Sequence, residues 1–215
     1  MTRAGPSPGG GGRLVVGSLN RAKAREIAHI LRDEELAFEV LSLADFPEVA
    51  PPPELGDTFA ANALAKARLA ARAAGVAAIG DDSGLEVDAL GGKPGIWSAR
   101  FAGEAASDED RCRKVLELMR DVPDGRRQAR FRCAAAFVNP EGNEFVAEGS
   151  CEGQIARQAA GTGGFGYDPI FVPEGYTCTM AELTAEQKHA ISHRGRALRR
   201  LAKLVRQRMG RDAGG

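Results

Sequence analysis

Cysteine, histidine and aromatic side chains are scarce in this 215-residue chain, which has four Cys, three His and 6% aromatics. Cys112, Cys133, Cys151 and Cys178 form no C-x-x-C pair and have no His at ligand spacing, which argues against a zinc site or a disulfide frame. They read as core thiols in a reducing compartment. Net charge is missing as well: 29 basic residues balance 29 acidic ones, so no overall field gathers nucleic acid. No apolar run approaches the roughly 18–20 residues of a membrane span. The start, MTRAGPSPGGGG, lacks an apolar h-region and reads as a disordered tail over 1–12, not a signal peptide. The expectations are a cytoplasmic location, no nucleic acid and no membrane.

What remains is ordinary for a globular domain, with 43% hydrophobic and 27% charged residues. A single domain over 13–208 is expected, followed by a second tail over 209–215. Leu14-Val15-Val16 reads as a short strand, and Ser18 and Asn20 as caps of a helix running to about Asp33. Pro47 to Pro53 is loop. Asp57 and Thr58 cap an alanine-rich helix closed by Gly75. Val76–Ile79 is a buried strand delivering Asp81-Asp82-Ser83-Gly84, and Ser107 caps a helix ending near Arg120. A hairpin is expected from Ala129–Val138 and Glu144–Glu152, and helices from about Met180–Ile191 and Arg194–Gln207, broken at Ser192. The alternation predicts an α/β fold with a mixed sheet and flanking helices.

Four segments carry possible chemistry. Gly161–Asp168, GTGGFGYD, matches G-x-G-x-x-G, but Pro169 and the extended Ile170–Pro173 follow where a dinucleotide site needs a helix. It is either a tight turn or a glycine loop approaching a ligand, with Phe165 and Tyr167 offering flat faces and Asp168 a charge. Ser18-Leu19-Asn20-Arg21-Ala22-Lys23, between strand and helix, is a phosphate cradle or a plain N-cap with a solvated lysine. Asp81-Asp82-Ser83-Gly84, at a strand's carboxyl end, is a cation-binding pair or a turn. Lys188 with Ser192-His193-Arg194 places cationic donors around a helix break, suited to an anion or a carbonyl-rich ligand. Beyond it, Arg199, Arg200, Lys203 and Arg206 read as the solvated face of a helix that buries Leu198, Leu201, Leu204 and Val205.

Taken together, GSLNRAK, DTFAANALAKA, DDSGLEVDALGGKPGIWSARFAG, AGTGGFGYDPIFVP and AELTAEQKHAISHRG make the chain resemble the inosine/xanthosine triphosphate pyrophosphatase family from about Leu14 to Val205. The resemblance implies an elongated mixed sheet with two lobes around a central cleft, Mg²⁺ as cofactor and a homodimer. It also implies hydrolysis of ITP, dITP and XTP to the monophosphate and pyrophosphate. Ser18, Asn20 and Lys23 match the family's triphosphate-binding S/T-x-N-x-x-K, with Leu19, Arg21 and Ala22 in the same loop. Asp82 matches the proton acceptor and metal ligand, and Ser83 the neighbouring substrate contact. Phe165, Gly166, Tyr167 and Asp168 match the nucleoside loop, and Lys188, His193 and Arg194 the base-recognition group. The pattern departs at the E-x-x-G segment: Pro53 stands where relatives place a metal-binding Glu, and Glu54 beside it is the candidate substitute.

The chemistry agrees with this inventory, since cleavage at an α-phosphorus needs alignment, charge neutralisation and proton removal. Lys188, a donor without an acceptor, suits a 6-oxo group better than a 6-amino group. A non-catalytic nucleotide sensor would keep Lys23 and the Phe165 loop without needing Asp82, so the aspartate pair favours an enzyme. A pyrophosphatase for pyrimidine or methylated nucleotides is the other enzymatic reading, against which Lys188, His193 and Arg194 weigh.

Overall fold

The computed structural model describes residues 12–36, 38–52 and 56–212, with the side chains of 209–212 left out. Six strands form one sheet in the order β2-β1-β3-β4-β5-β6. These are β1 (Gly12–Val16), β2 (Phe38–Ser42), β3 (Ala77–Val87), β4 (Gln128–Val138), β5 (Glu144–Ile155) and β6 (Phe171–Pro173). β1 pairs in parallel with β2 and β3, whereas β5 and β6 are antiparallel, so the sheet is mixed as expected. The helices are α1 (Arg21–Asp33), α2 (Phe59–Ala74), α3 (Asp108–Leu118), α4 (Ala185–Ile191) and α5 (His193–Asp212).

The chain divides into two compact units. The first comprises Met1–Asp82, Ala134–Glu148 and Gly195–Gly215; the second comprises Ser83–Cys133 and Gly149–Arg194. Each has its own core. In the first, Val15, Ala78, Ala134 and Ala136 of the strands pack with Ala63, Ala67, Ala70 and Ala71 of α2. Alanine on that face, opposite Gly17 and Gly80, lets the helix backbone come unusually close to the sheet: a Cβ on Gly17 would lie 2.6 Å from Lys66 O. In the second, Val115 and Met119 pack with Phe131, Cys151, Ile155, Tyr167, Ile170 and Phe171.

Local signals account for the ends of these elements. Asn20 Oδ1 accepts from Ala22 N and Lys23 N, and Thr58 Oγ1 accepts from Ala61 N, so of the cap candidates Ser18, Asn20, Asp57 and Thr58 it is Asn20 and Thr58 that cap the helices. Gly75 closes α2 in the left-handed conformation. Ser192 is extended and separates α4 from α5. All four cysteines are free; three are buried and Cys178 is half-buried.

Several expectations need correction. β2 escaped the sequence reading because a five-residue strand after a capped helix carries little periodicity of its own. β3 runs on to Val87, so Asp81 and Asp82 lie in mid-strand, not at its end, and the turn reading of Asp-Ser-Gly fails. The expected helix from Met180 is a 3-10 turn (Met180–Glu182) and then α4, because Thr184 begins a fresh capping box with Gln187. Gly12 already belongs to β1, and α5 continues to Asp212, into both expected tails; 1–11 and 213–215 lie outside the described residues.

Candidate active site

In the first unit, chemistry collects where α1 and α2 meet the middle of β3. Lys23, in the first turn of α1, places its ammonium 3.1 Å from Asp81 Oδ1, whose side chain is fully buried. Lys66 of α2 stands 2.7 Å from Asp82 Oδ1, and Asn62, one helical turn earlier, donates Nδ2 to Asp82 Oδ2 at 3.0 Å. Asp82 is 5% exposed, so two donors compensate a carboxylate that burial would otherwise penalise. Asn62 Oδ1 in turn accepts from Gly56 N at 2.8 Å, and this bond fixes which end of the amide faces Asp82. Adjacent side chains on a strand point to opposite faces. Accordingly the two aspartates meet different helices, α1 for Asp81 and α2 for Asp82.

The phosphate-cradle segment folds as an N-cap. Ser18 Oγ accepts from Asn20 N, and Ser18 O accepts from the Ser42 hydroxyl at 2.8 Å. Leu19 is exposed. Arg21 turns to Asp45, 2.7 Å away, and to Ala44 O, while Ala22 contributes its N–H to Asn20. Glu54 lies outside the described residues. Ser83, half-buried, follows Asp82 on β3 and belongs to the second unit.

In the second unit the glycine loop surrounds a buried charge pair. Asp168 is 3% exposed; its Oδ2 accepts from Lys188 Nζ at 2.6 Å and from Phe165 N at 2.9 Å. Burial pushes its carboxyl above the usual range, opposed by Lys188, by the Phe165 N–H and by Arg194. Lys188 and Arg194 also lie 4.9 and 5.3 Å from the centre of the Phe165 ring, itself 38% exposed. Gly164 makes the space: with φ of 76°, a Cβ there would meet Asp168 Oδ2 and come within 2.9 Å of Lys188 Nζ. Gly161 and Gly163 instead admit the backbone of Ala181, so half of the loop's glycines serve the chain's own packing. His193 stacks on Phe131, with ring centres 4.7 Å apart, and Arg194 is buried.

Tyr167 corrects the sequence reading. It offers no flat face: it is 4% exposed, donates its hydroxyl to Ser98 O at 2.8 Å, and its pKa is raised by burial. Phe165 alone of the two aromatics is presented. Lys66 and Asn62 were missed, although both lie in the quoted segment DTFAANALAKA. The available signal was their i, i+4 spacing, which puts an amide and an ammonium on one helix face.

The Ham1 family model matches residues 14–204 of this chain. The chain belongs to that family. A dITP/XTP pyrophosphatase of Geobacter sulfurreducens is 51% identical over 186 residues, covering 86% of this chain and 92% of that protein. Another, from Streptomyces coelicolor, is 48% identical over 198 residues, covering 92% and 99%. Among solved structures, a HAM1 protein from Coxiella burnetii superposes with a TM-score of 0.81 at 40% identity, covering 91% of this chain and 99% of that one. The α/β fold with its mixed sheet is therefore the family's own.

Proposed function

We propose that the protein is a Mg²⁺-dependent nucleoside triphosphate pyrophosphatase that cleaves ITP, dITP and XTP to the nucleoside monophosphate and pyrophosphate. The carrying observation is the pair of lysine–aspartate contacts at Asp81 and Asp82, on consecutive residues of one strand. The relatives named dITP/XTP pyrophosphatase supply the substrate class.

In this reading the N–H groups and dipole at the start of α1, with Lys23, hold the triphosphate. An incoming phosphate competes with Asp81 for the Lys23 ammonium. Asp82, fixed by Lys66 and Asn62, aligns a water and takes its proton as the water oxygen bonds to the α-phosphorus; the bond to the bridging oxygen breaks and pyrophosphate leaves. Asp82 also fits a Mg²⁺ ligand, because Mg²⁺ favours one or two carboxylates together with substrate phosphates and water. When bound, the metal would neutralise phosphate charge.

Lys188, Phe165, His193 and Arg194 read the base. Asp168 holds the Lys188 ammonium itself, so its remaining donors are offered from one place to a 6-oxo group and meet a 6-amino group unfavourably. Ser83, Gly166 and the Asn20 loop complete the substrate contacts. A cytoplasmic homodimer is the state the family resemblance supports, and light scattering on the purified protein tests the dimer. The reaction is tested by a panel of nucleoside triphosphates with Mg²⁺, scored for pyrophosphate. Stepwise orthophosphate release, full turnover in EDTA, or ATP consumed as fast as ITP would overturn it.

A further inference from the structure

The peptide groups flanking Gly166, the residue after Phe165, are gripped by α3. The Gly166 N–H donates to Asp108 Oδ2 at 2.6 Å, and its carbonyl accepts from the Cys112 thiol at 3.3 Å. Asp108 opens α3, and its other oxygen takes the Arg111 guanidinium, which also donates to Ala106 O at 2.8 Å. Gly166 sits at φ of 65° with nothing within 4 Å of an added Cβ, so conformation and not crowding demands glycine there. A glycine-rich segment samples many conformers by itself. The tie to Asp108 joins the freest part of the loop to a helix, right beside the aromatic ring the loop displays.

We propose that Asp108 is a positioning residue for base recognition: by holding the Gly166 N–H it fixes the Phe165 ring and so sets affinity for the nucleoside half of the substrate. This rests on the functional reading above. The contacts that Asp108 makes, to Gly166 and Arg111, lie within the second unit, whereas the proposed phosphate-binding residues and Asp82 belong to the first. Its replacement spares the helix cap, because Ser107 Oγ accepts from Asp110 N, and Asp110 Oδ2 from Ser107 N, without it. Asparagine at the same position keeps an oxygen of the right reach for the Gly166 N–H, whereas alanine does not.

The experiment compares wild type, Asp108→Ala and Asp108→Asn in steady-state ITP hydrolysis. Inorganic triphosphate serves as a competitive inhibitor that carries the phosphates and no base. In Asp108→Ala the KM for ITP should rise fivefold or more, with kcat and the triphosphate Ki each within twofold of wild type. Asp108→Asn should return KM to within threefold. Hydrogen exchange at the Gly166 amide should accelerate in the alanine variant and much less in the asparagine one. An unchanged KM, a Ki rising in step with KM, an asparagine variant no better than alanine, or unchanged Gly166 exchange would overturn the proposal. Wild-type turnover is the control: an inactive wild type sinks the functional reading, whereas an active one with an unaffected Asp108→Ala sinks this inference alone.

Discussion

Replacing Gly80 by alanine should perturb Asp82, the proposed catalytic carboxylate, without touching it. Gly80 precedes the two aspartates on β3, and a Cβ there would sit 2.6 Å from Ala67 N and closer still to Ala63 O, where ordinary contact begins near 3.4 Å. Both opposing atoms are helix backbone, which no rotamer change can move. The shorter contact, 2.2 Å to Ala63 O, sets the retreat of α2 from β3 at about 1.2 Å. Lys66 can follow Asp82 on its four-carbon stem, but Asn62, now 3.0 Å from Asp82 Oδ2, moves to about 4.2 Å and loses the bond. The lost hydrogen bond to a charged group costs about 1.5–3 kcal/mol and the overpacking about 1–3 kcal/mol. At about 2–4 °C per kcal/mol for a chain of this size, Tm should fall by about 5 °C or more. A displacement near 1 Å of a catalytic group costs on the order of 10²-fold in rate. The assay is pyrophosphate release at saturating ITP beside a thermal melt. A variant with wild-type kcat and Tm would show that α2 does not hold Asp82 in working position.

Three other variants or measurements bear on the same picture. Asp82→Asn should lower kcat by about 10²–10⁴ and also destabilise the protein, because Lys66 keeps a buried ammonium opposite a neutral amide; more than a third of wild-type kcat would make Asp82 structural. Lys188→Met should cut kcat/KM for ITP tenfold or more while leaving ATP little changed, and equal losses would move Lys188 to the phosphates. The same variant tests linkage. Burial already raises the Asp168 carboxyl, and without Lys188 it rises further, so the ionised form disfavours folding as pH climbs through the folded value above the unfolded ~3.9. Its loss of stability, read by urea midpoints, should be larger at pH 8 than at pH 5, and an equal loss would refute the pairing. Cys112, its thiol pushed up to about 12 chiefly by burial, should resist alkylation at pH 8 in the folded protein while half-buried Cys178 reacts first; rapid labelling of Cys112 would contradict the packing.

What the sequence reveals and what it hides divide along a physical line. Caps and helix stops are local: Asn20, Thr58, Gly75 and Ser192 act on residues within one turn, and all four do in the fold what their chemistry predicts. The mid-strand position of Asp81 and Asp82 was hidden because an Asp-Asp-Ser-Gly run has turn propensity, and it is tertiary context, β3's place in the sheet between β1 and β4 with lysines pairing its carboxylates, that overrides it. Tyr167 was misread for the same reason: nothing near it in sequence announces the Ser98 carbonyl that takes its hydroxyl. Neither could Lys66 and Asn62 be assigned before their partner, 16 and 20 residues away, was placed beside them.

One device occurs three times among the candidate residues, twice in the first unit and once in the second. Lys23–Asp81, Lys66–Asp82 and Lys188–Asp168 each set a flexible ammonium against a buried carboxylate, at 3.1, 2.7 and 2.6 Å. As stability elements such pairs are poor, because desolvating both ions can cost more than their attraction returns. As binding elements they are effective: a lysine immobilised beforehand forfeits less of the roughly 0.5–1.5 kcal/mol that ordering a rotamer-rich side chain costs when ligand arrives. The arrangement separates into two uses. In the proposed mechanism the carboxylate at Asp81 and Asp168 holds a lysine for the substrate, whereas at Asp82 the lysine and Asn62 hold a carboxylate for the water. Removing the carboxylate at Asp81 or Asp168 should therefore raise KM above all, and loosening the grip on Asp82 should lower kcat. That contrast assigns the roles of the three pairs by kinetics alone.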